Sequence, residues 1–323
     1  MSVSVHPPRI VVLDDWERSF ERLADWSPVR ERAQVSMHHE PLHGAALVSA
    51  VADADVLVLM RDRTPVDAAL LAAMPRLKHV IHTGTRNTRL DEPALAARGI
   101  AVEGTEWGPS KASTCEHTWS LILAAMRHLP RDLDLIREGL WRSRDSQPGA
   151  HVLEGECLGV VGLGQIGARV ARVGRAFGME VLTWSPHMTA ERAAAEGARS
   201  VPLEELLRSS RVVTLHLVPS GATRRLMDAS RLAMMRRDAV LVNTSRSALV
   251  DTPALVQALR EGRLAAAALD VYDEEPLPVD DPLRCVPNLI ATPHTGFVAE
   301  PVLQTFAPAV VERLLAWLDA PRT

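Results

Sequence analysis

The stretch "CLGVVGLGQIGARVARVGRAFG", residues 157–178, decides the fold of this chain. A short apolar run leads into Gly162, Gly164 and Gly167, and a segment with helical periodicity follows. In this order one glycine permits a tight turn, the next lets a phosphate approach the backbone, and the third lets helix and strand pack closely. The helix N-terminus then offers N–H groups and a positive dipole end to phosphates. The stretch therefore predicts a dinucleotide-binding βαβ unit.

The segment "EVLTWSPH", residues 180–187, is the predicted second strand of this unit, and it ends without an acid. Ser185 stands where sites that prefer NAD carry a carboxylate, which bonds the ribose hydroxyls and repels a 2′-phosphate. The serine removes that repulsion, although selection for a 2′-phosphate normally needs a cation as well. His187 and the more distant Arg192 are the nearby basic residues. We expect NADP or NAD as the cofactor, with NADP slightly favoured.

Outward from this unit, short apolar runs alternate with longer stretches of helical periodicity, and the alternation occurs twice. This pattern is typical of parallel sheets covered by helices, so the predicted fold class is α/β. The first set of predicted strands is "RIVVLDD", "AQVSMHH", "ADVLVLM", "KHVIHTG" and "IAVEG". The second set is "CLGVVGLG", "EVLTWS", "RVVTLHLV", "AVLVNTS", "LAAAALDVY" and "NLIATPH". Helices are predicted at residues 45–52, 67–74, 92–98 and 302–318, and a long amphipathic stretch lies at residues 110–139.

The composition indicates a globular protein that acts on a small molecule. With 323 residues and 47% hydrophobic content, the chain is long enough for two domains of ordinary size. Its formal charge of −4 gives no electrostatic reason to expect nucleic acid or an anionic membrane as a partner. No apolar run approaches the roughly 18 residues of a membrane span, so we expect a cytoplasmic protein. The 3 cysteines form no CxxC pair, which favours reduced thiols.

The segment "HEPLH", residues 39–43, matches the HExxH pattern of zinc hydrolases. That pattern binds zinc only on a helix, where residues four apart share one face. Pro41 in the middle of the segment would clash with the preceding helical turn and has no N–H to donate. We therefore expect surface histidines in a loop and no metal site.

Three later blocks carry residues suited to hydride transfer at a carbonyl: "VNTSRSALVD", "ALDVYDEEP" and "TPHTG". They place Arg246, Glu275 and His294 at or beyond the carboxyl ends of predicted strands, where open α/β sheets bind ligands. An arginine can grip a carboxylate through two hydrogen bonds, and a histidine can exchange a proton with a carbonyl oxygen. A glutamate can orient that histidine. Taken singly, each residue is also typical of an ion pair or a core-edge histidine in any α/β protein.

Taken together, these blocks resemble the D-2-hydroxyacid dehydrogenases, and the resemblance runs from about Ile10 to the C-terminus. The resemblance implies that Arg246 binds the substrate carboxylate, that Glu275 is the partner acid and that His294 is the acid/base. It implies further substrate contacts in the first half of the chain. They are Arg61 in "MRDRT", and Gly84 and Thr85 in "HTGTRNTRLD".

The resemblance also implies which residues line the cofactor groove. They come from the glycine loop, from the ends of the later strands and from a linker helix. They are Thr114, Gly162, Gly164, Gln165, Ile166, Gly167, Ser185, Pro186, His187, His216, Leu217, Val218, Thr244, Ser245, Asp270, His294 and Gly296.

A domain layout follows from the same resemblance. It implies a flavodoxin-like substrate domain made of residues 1–108 and 292–323, a Rossmann domain made of residues 109–291, and a catalytic cleft between them. The stretch "KASTCEHTWSLILAAMRH" resembles the dimer-forming helix of the family, which implies a homodimer through the cofactor domain. Because the chain ends at Thr323, just behind its last predicted helix, we do not expect the regulatory domain of long phosphoglycerate dehydrogenases.

Two positions depart from the family pattern. Ser247 stands where the family usually has a glycine, which makes a positive φ angle less accessible to that loop. Arg86 replaces an expected small residue and changes either the charge of the substrate pocket or the path of its loop. Substrate identity is therefore the part of the function that the sequence determines least.

The leading hypothesis is an NAD(P)-dependent oxidoreductase that interconverts a small 2-oxo acid and its D-2-hydroxy acid, as glyoxylate and hydroxypyruvate reductases do. The alternative is an NAD(H)-sensing interaction protein that resembles the C-terminal-binding-protein corepressors, which share the architecture and the three catalytic residues. Negligible turnover with cofactor-dependent binding to a macromolecule would favour the alternative. Phosphite dehydrogenases share the same three residues, whereas formate dehydrogenases carry a glutamine in place of Glu275.

Overall fold

The computed structural model describes residues 6–142 and 149–321 and divides the chain into two compact units. Unit 1 comprises residues 1–110 and 298–323, and unit 2 comprises residues 111–297. Each unit is built around one parallel sheet, which confirms the predicted α/β class.

Unit 1 contains a five-stranded sheet. Its strands are β1 (Arg9–Leu13), β2 (Gln34–Met37), β3 (Val56–Leu59), β4 (His79–His82) and β5 (Ala101–Gly104). All neighbouring pairs are parallel, in the order β2-β1-β3-β4-β5, which is the flavodoxin-like order. Every residue of β3 and β4 is buried, as expected for a parallel sheet with both faces covered. The helices between these strands are α1 (Ser19–Leu23), α2 (Ser27–Arg30), α3 (Gly44–Val51), α4 (Ala68–Ala72) and α5 (Glu92–Ala97).

Unit 2 contains a seven-stranded sheet. Its strands are β6 (Cys157–Val161), β7 (Glu180–Trp184), β8 (Arg199–Ser200), β9 (Val212–Leu215), β10 (Val240–Asn243), β11 (Ala266–Leu269) and β12 (Leu289–Ala291). They are parallel in the order β12-β11-β10-β9-β6-β7-β8, so the order reverses at β6. Ligands of open α/β sheets bind outside the carboxyl ends of the strands at such a reversal. β8 was not predicted, because two residues are too few to produce a pattern.

The helices of unit 2 cover both faces of this sheet. They are α6 (Ser110–Met126, beginning at the unit boundary), α7 (Leu129–Arg137), α8 (Gln165–Ala176), α9 (Ala190–Ala195), α10 (Leu203–Ser209), α11 (Ala229–Met234) and α12 (Thr252–Arg260), with 3-10 turns at Ser247–Leu249 and Pro282–Cys285. Alternate strand residues enter separate cores: Val240 and Val242 of β10 pack on the α6 and α8 side, and Leu241 packs on the opposite side. The strands therefore hold two helical layers in register, and their carboxyl ends form one edge.

The chain returns to unit 1 in the long helix α13 (Glu300–Asp319). Its residues Phe306, Val310 and Leu314 are fully buried at helical spacing. An ion pair between Arg22 of α1 and Glu300 joins the first turn of α13 to the N-terminal part of the unit. Within the described ranges, none of the helices combines the length and apolar character needed to cross a bilayer.

The amphipathic stretch at residues 110–139 forms two helices, α6 and α7. His128 adopts a left-handed φ of 53°, and α7 begins at the next residue. Pro130 lies in the first turn of α7, where it has no N–H to offer the carbonyl of Met126 and its ring would crowd that carbonyl in a continuous helix. Helix α6 therefore ends at Met126, and α7 begins at Leu129.

The division into units also differs from the expected boundaries. The first crossing lies at residue 110 in place of 108, and the return lies at residue 298 in place of 292. Residues 292–297 stay with unit 2 because Asp270 accepts hydrogen bonds from the backbone N–H groups of Thr295 and Gly296. These bonds tie the segment to the end of β11.

The HExxH-like segment, residues 39–43, lies in the loop between β2 and α3 and not on a helix. His39 contacts the backbone carbonyl of Asp15 at 3.0 Å through Nδ1. Among the described residues, no group of three or more His, Cys, Asp or Glu side chains could hold a metal ion.

Candidate active site

The three glycines after β6 differ in what a side chain at each position would contact. Gly162 has a φ of +97°, and a Cβ added there would lie 2.9 Å from the carbonyl oxygen of His216. A Cβ on Gly167 would lie 2.0 Å from the carbonyl oxygen of Gly162, so α8 could not approach β6 as it does. A Cβ on Gly164 would meet no atom within 4 Å. Packing within the chain thus explains why Gly162 and Gly167 are glycines. It does not explain Gly164, which lies at an open surface.

The N-terminus of α8 adjoins that open surface. Gly164 is its N-cap residue, Gln165 and Ile166 form its first turn, and no described side chain caps it. The first N–H groups of this 12-residue helix therefore keep their hydrogen-bonding capacity, and its dipole favours a negative charge. Backbone donors beside an uncovered glycine suit a pyrophosphate, so the residues present fit a dinucleotide.

The end of β7 carries the position expected to distinguish NAD from NADP. Ser185 is half-buried, its carbonyl accepts the N–H of Met188 at 3.1 Å, and Pro186 and His187 are exposed. The guanidinium of Arg192 donates to the carbonyl of His187 at 2.9 Å. The structure thus places a full positive charge beside the loop that follows Ser185, where the sequence had suggested a distant one.

The ends of β9 and β10 are joined by hydrogen bonds. Ser245 Oγ donates to the carbonyl of Leu217 at 2.6 Å, and its N–H donates to Asn243 Oδ1 at 3.1 Å. His216 contacts Thr214 Oγ1 at 2.9 Å through Nε2, and burial lowers the pKa of His216 to about 4. His216 is therefore uncharged at neutral pH. The next residue but one, Val218, is exposed.

Arg246 follows these residues in an extended conformation, and Nη1 donates to the carbonyl of Ser245 at 2.7 Å. Asn243 Nδ2 donates to the carbonyl of Arg246 at 2.9 Å and fixes the backbone there. Ser247 begins a 3-10 turn and is not among the residues with a positive φ. The departure at Ser247 therefore causes no strain, because the backbone takes a conformation that any residue can adopt.

His294 and Glu275 form the central pair of the site. His294 Nδ1 lies 2.7 Å from Glu275 Oε2, and the side chains are 26% and 16% exposed, so both are shielded but reachable. Glu275 Oε1 also accepts the N–H of Tyr272 at 2.8 Å, which fixes the carboxylate. An ionised carboxylate can only accept, so Nδ1 carries the shared proton and Nε2 is the nitrogen that can exchange one.

Asp270 anchors the loop that carries His294. It is fully buried and accepts the N–H groups of Thr295 at 2.9 Å and Gly296 at 2.8 Å. It also accepts Thr292 Oγ1 at 2.6 Å and lies 3.2 Å from His117 Nε2. Burial alone would raise the pKa of Asp270, but the hydrogen bonds from His117 and Thr292 hold it below its ordinary value. Asp270 is therefore a buried anion with its charge satisfied by the loop.

Helix α6 contributes groups that the sequence analysis did not assign to the site. Thr118 Oγ1 contacts Thr244 Oγ1 at 2.8 Å and donates to the carbonyl of Thr114 at 2.7 Å. Ser113 Oγ donates to the carbonyl of Gly296 at 2.9 Å. Together with His117 these residues form a polar stripe at spacings of three and four on a largely apolar helix. That periodicity was the signal in the sequence that could have identified them.

The predicted substrate residues of unit 1 lie at the carboxyl ends of β3 and β4. Arg61 is 9% exposed, and its guanidinium carbon lies 4.1 Å from the ring centroid of Trp107. Its backbone N–H donates to Thr83 Oγ1 at 3.0 Å. Gly84 has a φ of +80°, and a Cβ there would lie 2.3 Å from an Arg61 guanidinium nitrogen. Thr85 is exposed. Gly84 thus makes room for Arg61.

The strand order explains which residues of unit 2 come together. β10, β11 and β12 are adjacent, so Arg246, Glu275 and His294 all emerge from one part of the carboxyl edge. A cation that can bind a carboxylate thus shares an edge with an oriented histidine, while a dinucleotide fits at β6. The family described as D-isomer specific 2-hydroxyacid dehydrogenase, NAD binding domain, matches residues 119–296.

This chain belongs to the D-isomer specific 2-hydroxyacid dehydrogenases.

Relatives in this family align with most of this chain. The glyoxylate reductase of Aeropyrum pernix is 38% identical over 285 residues, which cover 86% of this chain and 84% of that protein. The D-3-phosphoglycerate dehydrogenase of Methanocaldococcus jannaschii is 35% identical over 83% of this chain but only 50% of that protein. The phosphoglycerate oxidoreductase structure from Vibrio cholerae has a TM-score of 0.88 at 32% identity, covering 96% and 98% of the two chains. The chain is thus an NAD-dependent D-2-hydroxyacid dehydrogenase by family, which confirms the predicted enzyme class.

The glycine loop gives a prediction on stability. Gly167→Ala should lower the free energy of unfolding by about 1–3 kcal/mol, because the new methyl group overlaps the backbone carbonyl of Gly162. Gly221→Ala is the matched control, since a Cβ there meets no atom within 4 Å. Urea unfolding of both variants measures the difference. Equal stability of the two would show that α8 can move away from β6 at no cost.

Proposed function

We propose that this protein reduces a small 2-oxo acid to its D-2-hydroxy acid with NADPH or NADH, and that it catalyses the reverse oxidation. The observation that carries the proposal is the 2.7 Å hydrogen bond between His294 and Glu275 on the strand edge that also carries Arg246. Unit 2 would bind the dinucleotide, and unit 1 would supply further substrate contacts.

His294 is the proposed acid/base. The bound nicotinamide supplies or accepts the hydride, and the protein must supply the proton. With Nδ1 bonded to Glu275, His294 Nε2 gives its proton to the carbonyl oxygen during reduction and takes it back during oxidation. Glu275 is held by the N–H of Tyr272, so it keeps the imidazole in one tautomer and one orientation.

Arg246 is the proposed anchor for the substrate carboxylate. Its planar guanidinium can make two parallel hydrogen bonds, which fix the face of the carbonyl carbon that is presented. Arg61, Gly84 and Thr85 of unit 1 are the proposed additional contacts. The stacking of Arg61 on Trp107 supports this role, because it holds the guanidinium in one place before any substrate arrives.

Glyoxylate and hydroxypyruvate are the first substrates to test. Two glyoxylate reductases are 38% and 34% identical to this chain and align over 84% and 90% of their own length. The remaining panel is pyruvate and bulkier 2-oxo acids; phosphite, which is an electron donor, is tested separately with NADP⁺ and NAD⁺. Oxidation of neither NADPH nor NADH with any member of the panel would contradict the proposed function.

The acid/base assignment predicts the effect of one substitution. His294→Gln should reduce turnover by about 10²–10⁴-fold, because glutamine fills the space but cannot transfer a proton at neutral pH. Binding of NADPH or NADH, followed by fluorescence titration, should stay within about twofold of wild type. His151→Gln is the control, since His151 lies in unit 2 away from the carboxyl edge and contacts the His128 ring. Unchanged turnover would remove His294 from this role.

The proposed cofactor preference rests on Ser185 and Arg192. Without a carboxylate at Ser185 the 2′-phosphate is not repelled, and Arg192 lies beside the same loop through its contact with His187. Ser185→Asp should shift the NADPH/NADH ratio of kcat/KM toward NADH by about tenfold or more, and Arg192→Ala should weaken NADPH alone. Arg208→Ala is the control, because Arg208 lies in the last turn of α10, which leads into the amino end of β9 and not into the carboxyl edge. An unchanged ratio in both test variants would mean that ribose recognition lies elsewhere.

A homodimer through unit 2 is proposed from the surface of α7, the helix that directly follows the stretch at residues 111–128 that resembles the dimer-forming helix. Leu129, Leu133 and Ile136 lie on one face of this helix and are 46–57% exposed, and Trp141 beyond it is 83% exposed. The helix carries both Arg131 and Asp134, so a second copy could match its charges. Leu133→Glu should convert the dimer to monomer in sedimentation equilibrium, and Val48→Glu in unit 1 should not. A wild-type monomer would contradict the proposal.

A further inference from the structure

We infer that His117 of α6 is a positioning residue for catalysis, because it fixes the loop that carries His294 by way of Asp270 and Thr292. This inference rests on the proposed acid/base role of His294. His117 touches neither the His294–Glu275 pair nor, in the assignments above, substrate or cofactor. Its action would pass through the buried carboxylate of Asp270 and through Thr292.

The direction of each hydrogen bond in this cluster follows from counting protons. Thr292 Oγ1 has one proton and gives it to Asp270 Oδ1 at 2.6 Å, because an ionised carboxylate can only accept. His117 Nε2 lies 3.0 Å from Thr292 Oγ1 and 3.2 Å from Asp270 Oδ1, and both can now only accept. His117 must therefore carry its proton on Nε2 and donate it to both.

The carboxylate transmits this anchoring to both sides of His294. Thr292 precedes the histidine by two residues, and Thr295 follows it and donates its N–H to the same Asp270 oxygen at 2.9 Å. His294 itself has a φ of 53°, a conformation that a non-glycine residue keeps only when its surroundings impose it. The hydrogen bonds on its two flanks are such surroundings.

A second contact shows that α6 holds the loop independently of the carboxylate. Ser113, one helical turn before His117, donates to the carbonyl of Gly296 at 2.9 Å. From the other side, the hydroxyl of Tyr272 donates to the carbonyl of Thr292 at 2.9 Å. Among the described residues, three titratable groups face this loop besides His294. Asp270 contacts His117, Tyr272 donates to the carbonyl of Thr292, and Glu275 contacts His294.

The test compares His117→Leu, which removes the donor, with His117→Gln, which keeps an N–H donor. His151→Leu is the control for loss of an imidazole elsewhere in unit 2. We expect His117→Leu to lower kcat by about tenfold or more, with the KM for the cofactor changed less than about twofold, since a small misplacement of a catalytic group costs turnover first. The pH of half-maximal turnover should shift as well. His117→Gln should recover most of both effects, and His151→Leu should show neither.

A measurement without substrate separates this inference from the proposed function. The ring carbon signal of His294 in protein labelled with ¹³C-histidine is assigned by its loss in His294→Gln. Its pH titration curve should shift in His117→Leu and stay in place in His151→Leu. If wild type turned over no 2-oxo acid, the proposed function would fail while this titration still tested the positioning role.

Two results would overturn the inference. The first is wild-type kcat in a folded His117→Leu protein. The second is a lower kcat with an unchanged pH profile and an unchanged His294 titration curve, because that combination describes general loss of structure. If His117→Leu does not fold, Thr292→Val removes the hydrogen bonds to His117 and Asp270 from the loop side, and Thr292→Ser restores the hydroxyl. The same two criteria then apply to this pair.

Discussion

The buried carboxylate of Asp270 is the group on which the site of unit 2 depends. A charge with no exposure to water is stable in a folded protein only if hydrogen bonds replace its hydration. Here the replacements come from two backbone N–H groups, one hydroxyl and one imidazole, contributed by the loop that carries His294 and by α6. The need to satisfy this charge thus fixes the loop that holds His294. It also explains why residues 292–297 pack with unit 2.

The parallel sheet brings the other polar residues of the site to one edge. All strands of a parallel sheet end at the same edge, so polar residues placed just after β6, β9, β10, β11 and β12 converge without any long loop. The requirement that α8 approach β6 closely explains Gly167, and the packing of the β9 end against the loop explains Gly162. Gly164 has no such packing reason. An uncovered glycine beside the first N–H groups of α8 is the arrangement that the sequence pattern predicts for a dinucleotide site.

Much of this could be predicted from the sequence, for reasons that lie in particular residues. The apolar runs and the glycine pattern are local signals, so the α/β class and the strands that carry Arg246, Glu275 and His294 followed from them. The break at His128 did not follow from the amphipathic pattern, because the apolar periodicity continues across it. The polar spacing on α6 could mark His117 and Ser113 as one face of a helix, but their partners lie more than 150 residues away in the chain, and no local pattern encodes those contacts. The effect of Ser247 likewise required its observed backbone conformation.

The reversal of strand order at β6 has a consequence for how the enzyme could diversify. Ser185 follows β7 and Arg246 follows β10, and three strand spacings separate β7 from β10, which is about 14 Å. That distance exceeds the screening length of about 8 Å at physiological ionic strength, so a charge changed at one place is felt only weakly at the other. The residues proposed for cofactor choice and for binding the substrate carboxylate therefore lie in separately adjustable parts of one edge. Either could be exchanged, by mutation or by engineering, without redesigning the other.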